Sequence, residues 1–480
     1  MNQKTKTIAL KDYCLGLSSN SLDTKIDGIA KEIKNVNILN GELSNADTIN
    51  EIFEIIEPTR VNVLKDTFLN IVKDALSVVS YKFYNAGVEI EYLIFCNSDY
   101  RLYYYQLNSQ NPSFTYLSTI TFTSLPHFEF FIKDQKNHIL MWSNTDEMYV
   151  WDGTETPYQV LDAPKISSMA VGLDRLFVVS KDHPYSVLYS DDLDPSNWSV
   201  SVGEAGEITF TDNMGKVLYV FALDNYLYAI REYGIVKIYG YKQSSNTFSL
   251  SRIFTSTSNI HKDTICVVGD KVVFLTDSGL YSFNGLSCKK IFSQLDNMFI
   301  NNNVCSAKCI NNIYYLACNL YDNKKDNNCL LVLNLDTNKL EQVLENSFIN
   351  RLDKISINNK QYLVCYQNYK TEKTAKYPYY LCKNVCKTGE CGDFLYKTNN
   401  LDILSNVINK QLKSISLISK HNLELILETQ KDTKKIIINK SDYPQIVLLN
   451  LPVTTFSFSI LGTGLLCVKD VKLTFSYMEN

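Results

Sequence analysis

No stretch of this 480-residue chain stays apolar for the roughly 20 residues that a membrane-spanning helix needs, and the longest apolar runs, such as residues 456–468, fall well short. The opening MNQKTKTIALKDYCLG lacks the apolar segment of a secretory signal, so the expectation is a protein made in a cytoplasm, without membrane insertion. Charge of one sign is also missing. A formal net charge of −4 sets up no field that would recruit nucleic acid or an anionic membrane to the whole chain. There is no G-x-x-x-x-G-K-[ST] phosphate loop and no G-x-S-x-G nucleophile turn. Arginine is scarce, and histidine occurs only five times, at His127, His138, His183, His261 and His421. The chain has 13 cysteines, an odd number scattered without a signal peptide, which read better as reduced, mostly buried thiols than as a disulfide framework. Cys96, Cys266 and Cys318 sit inside apolar segments, where they act as small hydrophobes.

Glycine and proline are few, at 18 and 10, while β-branched and aromatic residues are abundant, with 32 Tyr and 23 Phe. That balance favours strands over helices. Residues 1–60 are poor in aromatics and rich in Asn, Ser and Ile, and read as an extended arm with one short helix. The segment VNVLKDTFLNIVKDALSVVSYKFYN fits strand or helix by period, and the pattern after it favours strand.

An apolar strand, a polar turn and a second strand then recur, with strand starts near Tyr92, Ile139, Leu176, Leu227, Val272, Ile313 and Gln361. These seven occurrences lie roughly 37 to 51 residues apart, close to the period of four-stranded propeller blades. A hairpin of this kind cannot bury both faces alone, and radial packing of blade on blade covers them. WDG at 151–153 and FNG at 283–285 supply Asp-Gly and Asn-Gly pairs for tight turns and read as hairpin tips rather than as a WD40 signature. After about residue 401 the repeat stops, and alternating segments such as LELIL, FSFSI and the final VKLTFSY predict an antiparallel sandwich of roughly five to seven strands. The predicted fold class is therefore all-β: an arm over 1–60, a β-propeller over 61–400 with about seven blades (six or eight also fit), and a β-sandwich over 401–480.

Three stretches invite a chemical reading. In LYSDDLDPSNW, residues 188–198, Asp191, Asp192 and Asp194 could supply oxygen ligands, yet an EF-type loop needs a Gly at its sixth position and a Glu at its twelfth, and 192–203 has neither. Ser190, Asp192 and Trp198 approach an Asp box, but Asp194 stands at the Gly position and the Trp comes one residue late. Asp194-Pro195 is instead a natural turn. Cys382, Cys386 and Cys391 are spaced C-x3-C-x4-C and would need a fourth zinc ligand, from Cys365 or a histidine; Cys305 and Cys309 form a second weak pair. Both read as incidental thiols. The runs Tyr103, Tyr104, Tyr105 and Tyr377, Tyr379, Tyr380 raise sugar stacking, although runs in strands are usually split between core and surface. No catalytic, cofactor-binding or metal-ligating residue is assigned, and no enzyme activity is expected.

The stretch DRLFVVSKDHPYSVLYSDDLDPSNWSV, followed by GEITFTDNMGKVLYVFALDNYLYAIREYGIVKIYG and GDKVVFLTDSGLYSFNG, resembles the propeller-bearing structural proteins of tailed bacteriophages and prophages of Gram-positive bacteria, a class that includes the nozzle or tail tubular proteins. KNVNILNGELSNAD is similar to the arm that precedes such propellers, and the segment from FSFSI to VKLTFSY is similar to the sandwich that follows them. The resemblance implies a structural virion protein of the tail or head-to-tail connection, made in the bacterial cytoplasm. It further implies a homo-oligomeric ring with other virion proteins as neighbours, and no catalytic residues. The alternative is a lectin-like propeller for a host-surface glycan, with a glycosidase behind it.

Overall fold

Short segments of alternating apolar residues, punctuated by Asn, Asp and Gly pairs, fold here into an almost wholly β architecture. The computed structural model describes residues 3–10, 30–39, 41–56, 71–72, 74–107, 109, 113–133, 136–201, 203–242, 247–256, 258–296, 298–299, 305–320, 327–345, 348–367, 378–382, 392–402 and 410–478. Within them lie six separate four-stranded antiparallel sheets, one five-stranded sheet and one ten-stranded sheet. Numbered along the chain, the repeating units are unit 1 (77–116), unit 2 (127–160), unit 3 (166–209), unit 4 (217–255), unit 5 (266–291), unit 6 (306–345) and unit 7 (349–382). Each expected strand start falls in the second strand of one of these units.

The second strands stand out in the sequence because both of their faces are covered, which makes them read as continuous apolar runs. Arg175–Ser180 is buried at every position. Along Val88–Cys96, Leu93 and Phe95 join a cluster with Val364 and Tyr366 of unit 7, while Ile94 and Cys96 join one with Ile139 and Met141 of unit 2. The same alternation carries on: Leu140 and Trp142 pack with Leu176 and Val178, and Phe177 and Val179 with Leu227 and Ala229. Tyr228 and Ile230 pack with Val272 and Phe274, Val273 and Leu275 with Tyr314 and Leu316, and Tyr315 and Ala317 with Leu363 and Cys365. Two-residue turns with both φ angles positive, the I′ geometry that matches strand twist, close the first hairpins of several units: Ala86-Gly87, Leu173-Asp174, Asp224-Asn225, Asn311-Asn312 and Asn358-Asn359.

Backbone groups at the unit borders are satisfied by side chains of the neighbour. Ser168 Oγ accepts from Val220 N at 3.2 Å, Ser306 Oγ from Leu352 N at 3.1 Å and Ser80 Oγ from Ser356 N at 2.9 Å. Tyr366 Oη accepts from Val78 N at 2.8 Å, and Tyr314 Oη donates to Thr264 O at 2.7 Å. Asn284-Gly285 closes a four-residue hairpin loop as the sequence suggests, whereas Asp152-Gly153 lies in the longer 152–157 connection. Gly153 and Gly285 take φ of 86° and 83°, and a Cβ on Gly153 would lie 2.5 Å from the Phe83 ring of unit 1.

Residues 30–51 do not trail free. Ala30–Lys34 pairs with Asp393–Thr398, Val36–Leu39 with Lys339–Glu345 of unit 6, Glu42–Asn45 with Cys467–Met478, and Thr48–Glu51 supplies the fourth strand of unit 7. The ten-stranded sheet thus runs from unit 6 through Val36–Asn45 into the C-terminal strands Cys467–Met478, Lys410–Ser419 and Gln445–Pro452. The five-stranded sheet, Ala30–Lys34, Asp393–Thr398, Phe456–Thr463, Leu423–Thr429 and Thr433–Ile438, packs against it through Phe394, Leu425, Leu427 and Phe458, opposite Leu412, Ile415, Leu473 and Phe475. The single short helix expected in the arm is Phe53–Ile56. The segment of ambiguous period divides: residues 71–72 are helical and Ser77–Asn85 is a strand, while 61–70 lie outside the described residues. No described helix is long and apolar enough to cross a membrane.

Leu43 is fully buried where the two regions join, whereas Leu39, four residues earlier, is about half exposed. Leu43→Ala is expected to cost roughly 2–5 kcal/mol, and Leu39→Ala to stay within about 0.5 kcal/mol. Thermal and urea unfolding midpoints of the two variants check this, and equal shifts would contradict the stitched arrangement.

Candidate functional site

The aspartate-rich stretch 188–198 links the third and fourth strands of unit 3, Ser186–Tyr189 and Gly206–Thr209. Its three carboxylates do not converge. Asp191 accepts from Asn197 Nδ2 and Glu204 N, both at 2.8 Å, and from Asp192 N at 2.9 Å. Gly203 permits this, since a Cβ there would sit 2.1 Å from Asp191 Oδ2. Asp194 accepts from Ser196 Oγ at 2.6 Å and Ser196 N at 3.1 Å, and meets Lys133 Nζ of unit 2 at 3.3 Å. Burial works to raise the Asp194 pKa, but the Ser196 hydrogen bonds and Lys133 outweigh it and hold the carboxyl below its usual range.

Asp192 lies 3.9 Å from the buried guanidinium of Arg175, which also pairs with Glu204 and donates to Ser190 O at 3.3 Å. Trp198 donates from Nε1 to Pro195 O at 3.2 Å and packs on the cluster between units 2 and 3. Both oxygens of Asp191 and Oδ1 of Asp194 are thus directed at an N–H, a hydroxyl or a cation. The stretch is a braced turn.

Among the described residues no group of three His, Cys, Asp or Glu could hold a metal ion. Cys386, Cys391 and the side chain of Cys382 lie outside the described residues, as does Tyr377. Cys365, the proposed fourth ligand, is fully buried in Lys360–Gln367, and burial pushes its thiol far up. Burial likewise raises Cys305 to about 12 and Cys309 to about 11, the opposite of what a metal-binding thiolate needs. Cys96, Cys266 and Cys318 are buried as expected. The tyrosine runs offer no common platform. Tyr105 is buried against Phe114, Tyr104 packs between Tyr92 and Trp151 at 4.7 and 5.3 Å, and Tyr380 is buried beside Tyr362.

A different set of side chains gathers where the first strands of the units begin. By register against the second strands, Ser77, His127, Ser168, Tyr219, Ser306 and Arg351 stand opposite Cys96, Trp142, Val179, Ile230, Ala317 and Tyr366 in units 1, 2, 3, 4, 6 and 7. Tyr219 and Arg351 therefore occupy positions equivalent to His127, while Glu129 and Lys308, opposite Leu140 and Tyr315, stand two residues further along their strands. Arg351 bonds Asp353 at 3.0 Å, and its guanidinium lies 5.6 Å from the centre of the Tyr366 ring, yet its Nη1 is buried with no hydrogen-bond partner among the described residues.

The fields of these groups cross between units. Burial lowers the His127 pKa to about 4, helped by Arg351 of unit 7, Lys262 before unit 5 and Lys308 of unit 6, with Asp353 opposing. Glu129 is raised by burial, against the Phe130 N–H, and Tyr219 is raised by burial and then by Glu129 of unit 2. His127 of unit 2 thus lies within electrostatic reach of units 6 and 7 and of the turn before unit 5, and Tyr219 of unit 4 within reach of Glu129. Nothing local in the sequence marks this set. Its members are separated by tens to hundreds of positions, and only the stacking of the units brings them near one another.

Comparison with known protein families and with curated proteins finds no match to this chain.

Two outcomes are expected here. Arg175→Ala leaves Glu204 and the loop carbonyls without their buried cation and should cost about 3–5 kcal/mol, whereas calcium or a chelator should leave the melting temperature of the native chain unchanged. A calcium-dependent rise lost in Asp194→Asn would refute the braced-turn account. The second concerns pH. His127 titrates at 6.5 when unfolded and at about 4 when folded, so the unfolded chain binds more protons between those values. Its stabilising contribution is complete above about pH 6.5 and is lost as the pH falls towards 4, by up to roughly 3 kcal/mol. His127→Gln should flatten that part of the melting-temperature profile.

Proposed function

We propose that this chain is a structural component of a bacteriophage virion, in the tail or head-to-tail connection, built as a seven-bladed propeller on a β-sandwich and assembling as a ring. Closure of the propeller is supported by the contacts of unit 7 with unit 1 through Tyr366, Ser80 and the shared apolar cluster. The fourth strand of unit 7 comes from Thr48–Glu51, so the two ends of the repeat are tied by distant chain.

The observation that carries the assembly reading is the ten-stranded sheet. It makes unit 6 and the sandwich one continuous sheet, a suitable frame for transmitting load between neighbouring copies. Its far edge, Gln445–Pro452, has no charged residue, pairs on one side only among the described residues, and turns Ile446 and Leu448 outward at 66% and 73% exposure. Ile437 on the edge strand of the five-stranded sheet and Tyr443 between the two strands are exposed beside them in the chain. Uncharged, apolar edges are rarely left open in monomers. In a closed ring the contact is heterologous, so this edge would meet a different patch on the next copy. Asp191 and Asp194, both engaged in bracing, agree with a non-catalytic role.

Mass photometry and negative-stain imaging of the purified chain should give a discrete ring, and Leu448→Glu should shift it towards monomer without lowering the melting temperature. A strict monomer at high concentration would defeat the reading. Saturable glycan binding by that monomer would favour the lectin alternative.

A further inference from the structure

The sandwich end of the ten-stranded sheet has two margins, and they lie on opposite sides of it. Gln3–Ala9 and Lys410–Ser419 pair with the same residues, 472–477, of Cys467–Met478 and so flank that strand from opposite edges, and Gln445–Pro452 follows beyond Lys410–Ser419. Every step from Gln3–Ala9 across to Gln445–Pro452 is antiparallel, so the two marginal strands run in opposite directions. A second copy brought alongside by rotation about an axis along the strands keeps both directions. Its Gln3–Ala9 would then lie antiparallel to Gln445–Pro452 and extend the same sheet.

Gln3–Ala9 is held by one edge alone among the described residues. Lys4, Thr5, Lys6, Thr7 and Ala9 are exposed, and Ile8 is partly buried. Leu10 donates to Val471 O at 2.9 Å, and the register from there towards Gln3 is unbroken. By the alternation of an antiparallel ladder, the backbone groups of Lys4, Lys6 and Ile8 face Cys467–Met478, and those of Thr5, Thr7 and Ala9 face the open edge.

The side chains match as well as the directions. Thr7, Thr474, Ser414 and Leu448 form one row across a single face of the sheet, with Thr7 Oγ1 3.1 Å from Thr474 Oγ1. The exposed Ile446 and Leu448 therefore share their face with Thr5 and Thr7, whose branched side chains are good cross-strand partners for aliphatic ones. Lys4 and Lys6 stand on the other face, in register with Tyr477 and Phe475. Pairing of Gln3–Ala9 with its own counterpart would bring these ammonium groups together, whereas Gln445–Pro452 carries no charge.

We propose, resting on the ring reading above, that the patch met by Gln445–Pro452 is Gln3–Ala9 of a second copy, added antiparallel as the next strand, so that one sheet continues from copy to copy. Two different edges in contact make a heterologous interface, the kind that closes into a ring.

The test is mass photometry of the full chain across a concentration series. Thr7→Pro removes an N–H from the open edge, where proline is tolerated, and should raise the concentration needed for half-assembly about tenfold or more at an unchanged melting temperature. Thr7→Glu leaves the backbone intact, should act in the same direction, and serves if Thr7→Pro lowers the melting temperature. A second arm uses the double variants Thr5→Cys with Leu448→Cys and Thr7→Cys with Leu448→Cys. Within one chain these positions are three strand spacings apart, about 14 Å, and a disulfide spans less than about 7 Å between Cα atoms, so a new cross-link can form only between copies. Oxidation of at least one double variant should give a covalent ladder on a non-reducing gel that neither single variant gives. A ring unaffected by Thr7→Pro and Thr7→Glu, a ring whose double variants give no ladder, or a dimer indifferent to Thr7 would overturn this contact and leave the ring or dimer itself standing. A strictly monomeric native chain is the separate failure of the ring reading, and it removes this contact too.

Discussion

Every part of this protein depends on one constraint: the second strand of each unit has two apolar faces and can cover neither by itself. Leu93 and Phe95 look one way and Ile94 and Cys96 the other, and the same alternation repeats in all seven units. Burial of this kind is worth about 25 cal/mol per Å² of apolar surface, far more than the isolated ion pairs on the surface. It drives the sheets to pack face to face, and neighbouring units in the chain become neighbours in space.

Once the sheets are stacked, their borders have to satisfy backbone groups that no strand partner reaches. Small hydroxyls do this at Ser80, Ser168 and Ser306, because a serine side chain spans the gap without adding bulk. The arginines answer a similar demand. Arg231 is fully buried, donates from Nε to Gly215 O at 3.1 Å, pairs with Asp212 and lies over the Phe210 ring, while Arg175 braces the 188–198 turn. Both are structural cations enclosed by their own loops. Arg351 differs from them in keeping one nitrogen without a partner among the described residues.

The sandwich and the repeat are physically one piece because the early residues are used as strands in both. Val36, Ile38 and Leu43 belong to the same apolar cluster as Leu333 and Val343 of unit 6 and Phe458 and Phe475 of the sandwich. Strand Asp393–Thr398, ahead of the expected start of the sandwich at 401, lies in its five-stranded sheet. Edge strands are what remain at the margins of such a sheet, and the uncharged Gln445–Pro452 is the one most open to addition of another chain.

Periodicity alone was enough to determine the all-β class, the position of each second strand, the glycine turns at 153 and 285, the buried cysteines and the turn at Asp194-Pro195. These are local properties, written in side-chain alternation and in residues that accept positive φ. Tertiary structure decided the rest. Residues 30–51 read as an arm because four- and five-residue strands with mixed polarity carry little periodic signal, and only their partners reveal them as sheet. The approach of His127 to Lys308 and Arg351 was equally invisible, since each is an ordinary polar residue in its own strand. Charges placed far apart in the chain come within reach of one another only after apolar burial has brought the first strands together.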